Sequence, residues 1–132
     1  MRAFSSAWKS SKKPSKQRKY RYGAPLHVRR RFLSVHLSNE LKQKFGMRNI
    51  VVRMGDKVKV IKGDYKGKDG KVSQVSLKKT LVYVEGIERQ RRDGTKSFLG
   101  IAPANMMIVE LNTEDKRRMP QTENKAAKET KK

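Results

Sequence analysis

The chain has 132 residues, of which 34 are Lys or Arg and 12 are Asp or Glu, so its formal net charge at pH 7 is +22. One domain is the natural expectation at this length, and self-repulsion at this charge opposes compaction unless a polyanion neutralises it. The sequence contains no cysteine, which excludes disulfides, thiolate zinc sites and a cysteine nucleophile. It also lacks an apolar run of the roughly 18 to 20 residues that span a bilayer. Nucleic acid is therefore the predicted partner.

The positive charge is concentrated in the N-terminal third. Residues 1–53 contain 15 basic residues and one acidic residue, a net charge of +14, whereas residues 54–111 contain 12 basic and 7 acidic residues, a net charge of +5. An anionic membrane surface is an alternative partner, but no long amphipathic basic helix is present to bind one. The Arg-, Lys- and Ser-rich start also has features of an organellar transit peptide. Against that hypothesis, the basic character continues through Arg31 without a break in composition.

Residues 1–24 are polar, basic and rich in turn formers, which predicts an extended arm that is disordered when free. Tyr20 and Tyr22 lie among Lys19 and Arg21. Interleaved aromatic and cationic side chains of this kind can stack on bases and contact phosphates together. The alternative is that the two tyrosines pack on the folded domain, and the sequence does not decide between them.

Two short helices are predicted in residues 25–49, packing between the domain and nucleic acid. Pro25 can open the first, over residues 26–35, because its missing N–H costs nothing at the first helical position. Ser38 is a good N-cap for the second, which places Leu41 and Phe45 on one face and ends at Gly46.

Short strands follow, which predicts a small curled sheet over residues 50–111. The predicted strands are residues 50–53, 57–62, 70–76, 80–85 and 106–111. Because Val72 and Val75 are three residues apart rather than two, we expect a bulge between them. Asp93-Gly94 is a signal for a two-residue turn, which predicts a basic hairpin over residues 88–98. The predicted core is Val58, Val60, Val72, Val75, Val82, Val84, Ile87, Ile108 and Val109.

After Leu111 apolar residues nearly vanish. We therefore predict that residues 112–132 form a mobile charged tail.

Residues 55–70 read GDKVKVIKGDYKGKDG, a strand followed by a basic, glycine-rich loop. Glycine lets the backbone turn tightly or approach a ligand closely, and lysine supplies the charge that a polyphosphate attracts. This pattern resembles the KOW motif, the nucleic-acid-binding element of SH3-like barrels in ribosomal and transcription proteins. The predicted fold class is therefore mostly β, a small SH3-like barrel with an N-terminal basic arm, short helices and a flexible C-terminal tail.

The resemblance covers roughly residues 16–112. KQRKYRYGAPLHVRRRFLSVHLSNELKQKFGMRNIVVRMGDKVKVIKGDYKGKDGKV is similar to the large-subunit ribosomal protein family numbered twenty-four in bacteria and archaea and twenty-six in eukaryotes. GAPLHVRRRFLSVHLSNELKQKFGMRN looks like the archaeal and eukaryotic branch. IAPANMMIVEL resembles the closing turn and strand of that family. Ala102 and Ala104 stand where His and Ser are usual there, so no contact of those two side chains is carried over.

The resemblance implies a structural role in the large ribosomal subunit in the cytoplasm. It implies binding to the 5′ region of large-subunit rRNA, help in early subunit assembly, a place near the peptide exit tunnel, and neighbouring ribosomal proteins as further partners. The residues expected to bind rRNA are Lys16, Arg18, Lys19, Tyr20, Arg21, Tyr22, His27, Arg29, Arg30, Arg31, Lys57, Lys62, Tyr65, Lys66, Lys68, Lys71, Lys78, Lys79, Arg89, Arg91, Arg92 and Lys96. The glycines expected to shape the KOW loop are Gly55, Gly63, Gly67 and Gly70.

Enzymatic activity is not expected. The two histidines, His27 and His36, have no acidic partner at metal-ligand or triad spacing. The loop lacks the spacing and the following helix of a Walker phosphate-binding motif. We therefore predict no catalytic residue, metal, cofactor, small-molecule substrate or membrane partner, and no homo-oligomer.

Three other classes of protein fit parts of the sequence. A KOW module of a transcription elongation factor is the nearest, although such modules usually accompany a second, larger domain. The charge alone would also allow a chromatin protein that compacts DNA. A scaffold that binds acidic proteins is the third, and partners insensitive to ribonuclease would support it.

Overall fold

The computed structural model describes residues 4–5 and 11–118, which form a strand-rich domain with short helices. The strands are β1 (Ser34–Leu37), β2 (Asn49–Val51), β3 (Lys57–Val60), β4 (Asp69–Ser76), β5 (Leu81–Gln90), β6 (Lys96–Ile101) and β7 (Met106–Glu110). The helices are α1 (Pro14–Gly23), α2 (Leu26–Phe32) and α3 (Asn39–Phe45), with 3-10 turns at Pro103–Asn105 and Lys116–Arg118. The transit-peptide hypothesis, the start of the predicted arm and the end of the predicted tail lie outside the described residues.

The seven strands form one sheet in the order β2-β1-β7-β3-β4-β5-β6. All neighbours pair antiparallel except β1 and β7, which are parallel. The register shifts three times, and one shift lies between Val72 and Gln74, where the sequence predicted a bulge. Bulges increase local twist, so the sheet curls into a small barrel around one core. The fold class predicted from the sequence is confirmed.

The core follows the period-2 alternation of the strands. In β3 the side chains of Val58 and Val60 are buried, whereas Lys59 between them is exposed. Seven of the nine predicted core residues are buried, and Val75 and Val109 are only half-buried. Besides Ala24, the sequence analysis did not assign six further buried side chains to the core. These are Leu33, Val35, Leu37, Val52, Ile101 and Met106.

The second predicted helix is confirmed at α3. The hydroxyl of Ser38 accepts a hydrogen bond from the backbone N–H of Leu41 at 3.4 Å, which caps the first turn. Gly46 ends the helix with φ of 63°, a left-handed conformation that glycine adopts at no steric cost. Leu41 packs against the core, as its place on the inner face predicts.

The prediction of an extended arm is wrong for residues 14–23, which form α1. Pro14 occupies the start of the helix, and the next eight residues contain neither glycine nor a β-branched side chain. Lys, Gln and Arg are good helix formers. The density of positive charge suggested disorder, whereas the local propensity and the docking of Tyr20 on neighbouring rings favour a helix.

The prediction of one helix over residues 26–35 is wrong at its C-terminal end. α2 stops at Phe32, and residues 34–37 form β1. Val35 and Leu37 alternate with Ser34 and His36, and the two apolar side chains are fully buried. Both partners of this period-2 pattern come later in the chain: β2 follows α3, and β7 lies 71 positions away, with His36 opposite Met107.

The predicted tail is folded at its start, so the prediction of mobility from residue 112 is wrong for residues 112–118. Arg118 lies in a 3-10 turn and forms a buried ion pair with Asp56, with Nη2 and Oδ2 separated by 2.5 Å. Asp115 pairs with Arg53 on the surface. The Arg53 guanidinium and then the N–H of Arg117 hold the pKa of the Asp115 carboxyl below its ordinary value.

Candidate nucleic-acid interface

The KOW loop (residues 61–68) is a compact turn held by its own backbone. The N–H of Gly67 donates to the carbonyl of Val60 at 2.9 Å, and the N–H of Val60 donates to the carbonyl of Lys68 at 2.8 Å. Gly67 has φ of 90°, a conformation that L side chains rarely adopt. The loop therefore holds the exposed side chains of Lys62, Lys66 and Lys68 on a fixed backbone.

Gly70 has a different role, because β4 passes very close to β5 at this residue. A Cβ atom at this position would lie 2.6 Å from the carbonyl oxygen of Glu85 and 2.8 Å from Cγ1 of Val84. The other two glycines of the predicted set, Gly55 and Gly63, have positive φ values of 87° and 99°. The set therefore shapes the backbone on both sides of the loop.

Tyr65 joins the KOW loop to the base of the hairpin. Its hydroxyl donates to the carbonyl of Glu88 at 3.0 Å, and its ring packs against the core. The Nζ atom of Lys68 lies 5.1 Å from the ring centroid, a cation–π geometry. Contact of Tyr65 with a sugar or base stays a prediction, and any such contact is limited to the part of the ring that the protein leaves open.

The hairpin of β5 and β6 has a three-residue loop rather than the predicted two-residue turn. The N–H of Arg91 donates to the carbonyl of Thr95 at 2.9 Å, and Gly94 is left-handed at the third loop position. The hydroxyl and the N–H of Thr95 both donate to Asp93, and they hold the pKa of its carboxyl below the ordinary value. The cationic side chains at this tip are all exposed: Arg89, Arg91, Arg92 and Lys96.

Phe98 is a candidate that the sequence analysis missed. Its side chain is 61% exposed and lies opposite Glu88 in the register of β5 and β6. Phe98 and Lys96 are two residues apart on one strand and therefore share a face. The spacing of two residues between Lys96 and Phe98 was the signal in the sequence that could have identified Phe98. The sequence analysis treated residue 98 only as the end of the hairpin and did not consider its side chain.

Tyr20 and Tyr22 have different surroundings. Tyr20 packs on the domain, with ring centroids 4.9 Å from Phe4 and 6.0 Å from Phe32. Tyr22 is 81% exposed. The alternative that both tyrosines pack on the domain therefore holds for Tyr20, and only Tyr22 presents an open ring. Arg21 lies over the ring of Phe32, with Cζ 5.9 Å from the centroid.

Arg29 is held by the protein itself, although the sequence assigned it to RNA. Its guanidinium donates to the carbonyls of Ala24 at 2.8 Å, Lys78 at 2.8 Å and Tyr22. These bonds join the corner between α1 and α2 to the turn between β4 and β5. The neighbouring side chains His27, Arg30 and Arg31 are exposed, as are those of Lys78 and Lys79.

The predicted contacts thus gather at two places. We call the KOW loop together with the hairpin over residues 88–98 the loop surface. The corner surface consists of residues 22–31 and the β4–β5 turn, residues 77–80. The two lie at opposite ends of β4, whose eight residues span roughly 25 Å at about 3.3 Å each.

Two groups of predicted residues lie outside these two surfaces. Lys16, Arg18 and Lys19 are exposed on α1, where Arg21 also lies. Lys57 and Lys71 face each other in the register of β3 and β4. The Nζ atom of Lys57 lies 3.2 Å from the Glu110 carboxylate, so that cation is partly neutralised.

Among residues 4–5 and 11–118, no group of three or more His, Cys, Asp or Glu side chains is placed to hold a metal ion. Within the same part of the chain, no helix is long and apolar enough to cross a bilayer. What the site offers is fixed positive charge on a small β scaffold, with one exposed ring at each of the two surfaces.

This combination defines a class of protein, a small basic β-barrel whose loops are suited to polyanions and above all to nucleic acid. Comparison with known proteins narrows the class to a family. Residues 11–125 match the family model for the eukaryotic ribosomal proteins numbered twenty-six and their archaeal counterparts numbered twenty-four. The chain belongs to this family of ribosomal proteins, which is structural and not enzymatic, and the resemblance noted in the sequence is confirmed.

Individual relatives agree with the family model. The chain is 46% identical over 108 residues to the large ribosomal subunit protein uL24 of Methanosphaera stadtmanae, an alignment that covers 82% of this chain and 92% of the relative. The protein of the same name from Korarchaeum cryptofilum is 45% identical over 118 residues, 89% of this chain and 90% of the relative. The protein of that name from Methanosarcina barkeri is 48% identical over 108 residues, which cover 82% of this chain and 93% of the relative.

Proposed function

We propose that this protein is a structural constituent of the large subunit of cytoplasmic ribosomes, where it binds rRNA. The family match over residues 11–125 carries this proposal. The two cationic surfaces at opposite ends of β4 support it, because a protein that bridges folded RNA needs charge at more than one place. Neighbouring ribosomal proteins are the second class of partner. Binding, not turnover, is the mechanism.

The more specific part of the proposal concerns where the protein binds. From the family resemblance we infer that the target is the 5′ region of large-subunit rRNA. We also infer that the protein binds early in subunit assembly and lies near the peptide exit tunnel. Of the four predicted segments, residues 1–24 and 25–49 remain in the proposal as RNA-binding elements. The barrel predicted over residues 50–111 also takes β1 (Ser34–Leu37) into its sheet, and residues 112–118 of the predicted tail fold against it.

Recognition of the RNA follows from what the two surfaces present. A-form RNA has a deep, narrow major groove that side chains cannot read, so folded rRNA is recognised by its shape, its phosphates and its 2′-hydroxyls. Lysines on a fixed loop, such as Lys66 and Lys68, suit phosphate contact. An exposed ring such as Tyr22 suits stacking on an unpaired base, which contributes about 1–3 kcal/mol per base.

The salt dependence of binding tests the proposal. With about eight phosphates neutralised, log K should fall against log salt with a slope of roughly −6 to −7. The measurement is fluorescence anisotropy with a transcript of the 5′ region of archaeal large-subunit rRNA, at salt concentrations between about 50 and 300 mM. Duplex DNA of equal length is the matched competitor. A shallow slope, or equal affinity for the DNA, would contradict the proposal.

A second experiment tests whether the protein is associated with large ribosomal subunits in cell extracts. Co-sedimentation with large ribosomal subunits, abolished by ribonuclease, is the expected result. Partners that stay bound after ribonuclease treatment would instead support a scaffold for acidic proteins.

A further inference from the structure

We infer that Arg29 is a positioning residue, which builds the corner surface without itself contacting RNA. The inference deepens the proposed function and rests on it for the identity of the ligand. Three bonds carry it: Nε donates to the carbonyl of Ala24, Nη1 to that of Lys78, and Nη2 to that of Tyr22. A guanidinium used in this way has fewer donors left for a phosphate.

The bonds from Arg29 end on carbonyls that otherwise need another donor. Tyr22 and Ala24 lie at the C-terminal end of α1, where the last carbonyls of a helix have no partner within it. Ala24 is buried, so an unpaired carbonyl there would be costly. A positive charge at this end of a helix is also favourable, because the helix dipole is negative there.

The third bond, to Lys78, spans 49 positions of sequence and reaches a turn that needs support. Thr80, two residues further on, has φ of 53°, which is unfavourable for a β-branched side chain. A turn of this kind persists only when its surroundings hold it. The Arg29 guanidinium therefore stabilises both the turn and the helix corner, and it fixes the position of one relative to the other.

The consequence is a composite RNA-binding surface that neither element forms alone. The corner contributes Tyr22, whose ring is 81% exposed, and the turn contributes Lys78 and Lys79. An exposed ring and two exposed lysines, on backbone segments that one guanidinium joins, suit an unpaired base and its flanking phosphates. The ligand class assigned to the corner surface is thus single-stranded RNA, or the edge of an RNA helix with a base turned out.

The test distinguishes a positioning role of Arg29 from direct contact with RNA by using a substitution that keeps the positive charge. Lysine keeps the charge of arginine, but its three N–H donors diverge from a single nitrogen, so it cannot reach the three separate carbonyls that the planar guanidinium spans. The variants are Arg29→Lys and Arg29→Ala, with Arg30→Lys and Arg30→Ala as matched controls, since Arg30 is the exposed neighbour in the same helix. Each is titrated with the 5′-region transcript over a range of salt.

We expect Arg29→Lys to bind about tenfold more weakly than the wild type, as does Arg29→Ala, because the ring and the two lysines lose their common placement. Arg30→Lys should bind within about twofold of the wild type. Arg30→Ala should lower the salt slope by about 0.7 to 0.9, the effect of one phosphate contact. Wild-type binding by Arg29→Lys would overturn the inference.

Amide hydrogen exchange without RNA provides a second measurement. In Arg29→Lys we expect faster exchange at residues 20–24 and 77–80, with the central strands unchanged, because the opening is local. Arg30→Lys and Tyr22→Ala should exchange like the wild type. Unchanged exchange in Arg29→Lys would refute the claim that Arg29 holds the corner of α1 and α2 to the β4–β5 turn. If the wild type failed to bind the transcript, the proposed function would fail, while the exchange result would still decide whether Arg29 holds the corner.

Discussion

Asp56 is fully buried, and its carboxylate accepts four hydrogen bonds. Oδ1 accepts from the N–H of Asn112 at 3.0 Å and from Nη1 of Arg118 at 2.6 Å. Oδ2 accepts from the N–H of Arg53 at 2.8 Å and from Nη2 of Arg118 at 2.5 Å. The Arg118 guanidinium also donates to the carbonyl of Val51. This side chain therefore attaches the C-terminal segment, residues 112–118, to the barrel.

Removal of this arginine should destabilise the protein strongly. Arg118→Ala leaves a buried carboxylate without its cation, which costs about 3–5 kcal/mol when a buried pair loses one partner. The free energy of unfolding, measured by urea denaturation at pH 7, should fall by that amount. Arg117→Ala is the matched control, since Arg117 is exposed and its replacement should change the free energy by less than about 0.5 kcal/mol. Equal urea midpoints for the two variants would show that the ion pair between Arg118 and Asp56 is not formed in solution.

Gly70 makes a second prediction at the scale of one residue. The methyl group of Gly70→Ala would meet the backbone carbonyl of Glu85 at 2.6 Å, so β4 and β5 must move apart. Overpacking of this kind costs about 1–3 kcal/mol. Gly23→Ala is the control, because the new Cβ atom meets Phe4 at an ordinary 3.9 Å. Thermal unfolding should show a lower Tm for Gly70→Ala alone, and a Tm equal to that of the control would contradict the close approach.

At the scale of elements, the sequence predicted what local pattern decides and missed what distant contacts decide. The strands on both sides of the KOW loop and the cap of α3 follow from alternation and from Ser38, and the structure has both. β1 could not be assigned, because its pattern of two buried residues becomes a strand only through pairing with β2 and β7. The role of Arg118 was hidden for the same reason, since Asp56 lies 62 positions away.

The sites divide in the same way. Exposed lysines of the KOW loop could be identified from sequence, because a basic glycine-rich loop between strands projects its charges wherever the fold places it. Arg29 could not be distinguished from Arg30, because neighbours in an arginine run differ only in what the folded chain puts beside them.

α1 is held by aromatic contacts, which gives a prediction for an element. Phe32 lies under Tyr20, with ring centroids 6.0 Å apart. Such pairs contribute about 0.5–1.5 kcal/mol, so Phe32→Ala should speed amide exchange in α1 about two- to tenfold. Tyr22→Ala, which removes an exposed ring from the same helix, should leave the exchange unchanged. If both variants exchanged alike, the contact would not be what holds the helix.

At the scale of the whole molecule, the two surfaces are joined by a rigid ladder. β4 pairs with β5 between the Ser76–Leu81 and Val72–Val84 pairs, and Tyr65 fixes the KOW loop to Glu88 further along β5. The separation of the two surfaces is therefore set by the sheet and not by a flexible linker. A single folded RNA that engages both surfaces must present phosphates at that spacing.

Two double variants test whether both surfaces engage one RNA. Lys66→Ala with Lys68→Ala removes two charges from the loop surface, and Lys78→Ala with Lys79→Ala removes two from the corner surface. Each pair should make the salt slope shallower by about 1.4 to 1.8. Because the surfaces lie roughly 25 Å apart, the effects on log K should add in the quadruple variant.

The control for this experiment removes equal charge from elsewhere. Lys42→Ala with Lys44→Ala changes two cations of α3, outside both surfaces, and should leave the slope within error of the wild type. A quadruple variant no weaker than the weaker of the two double variants would mean that only one of the two surfaces contacts the RNA. RNA would then contact one end of the barrel only, and the fixed spacing of the two surfaces would have no role in binding.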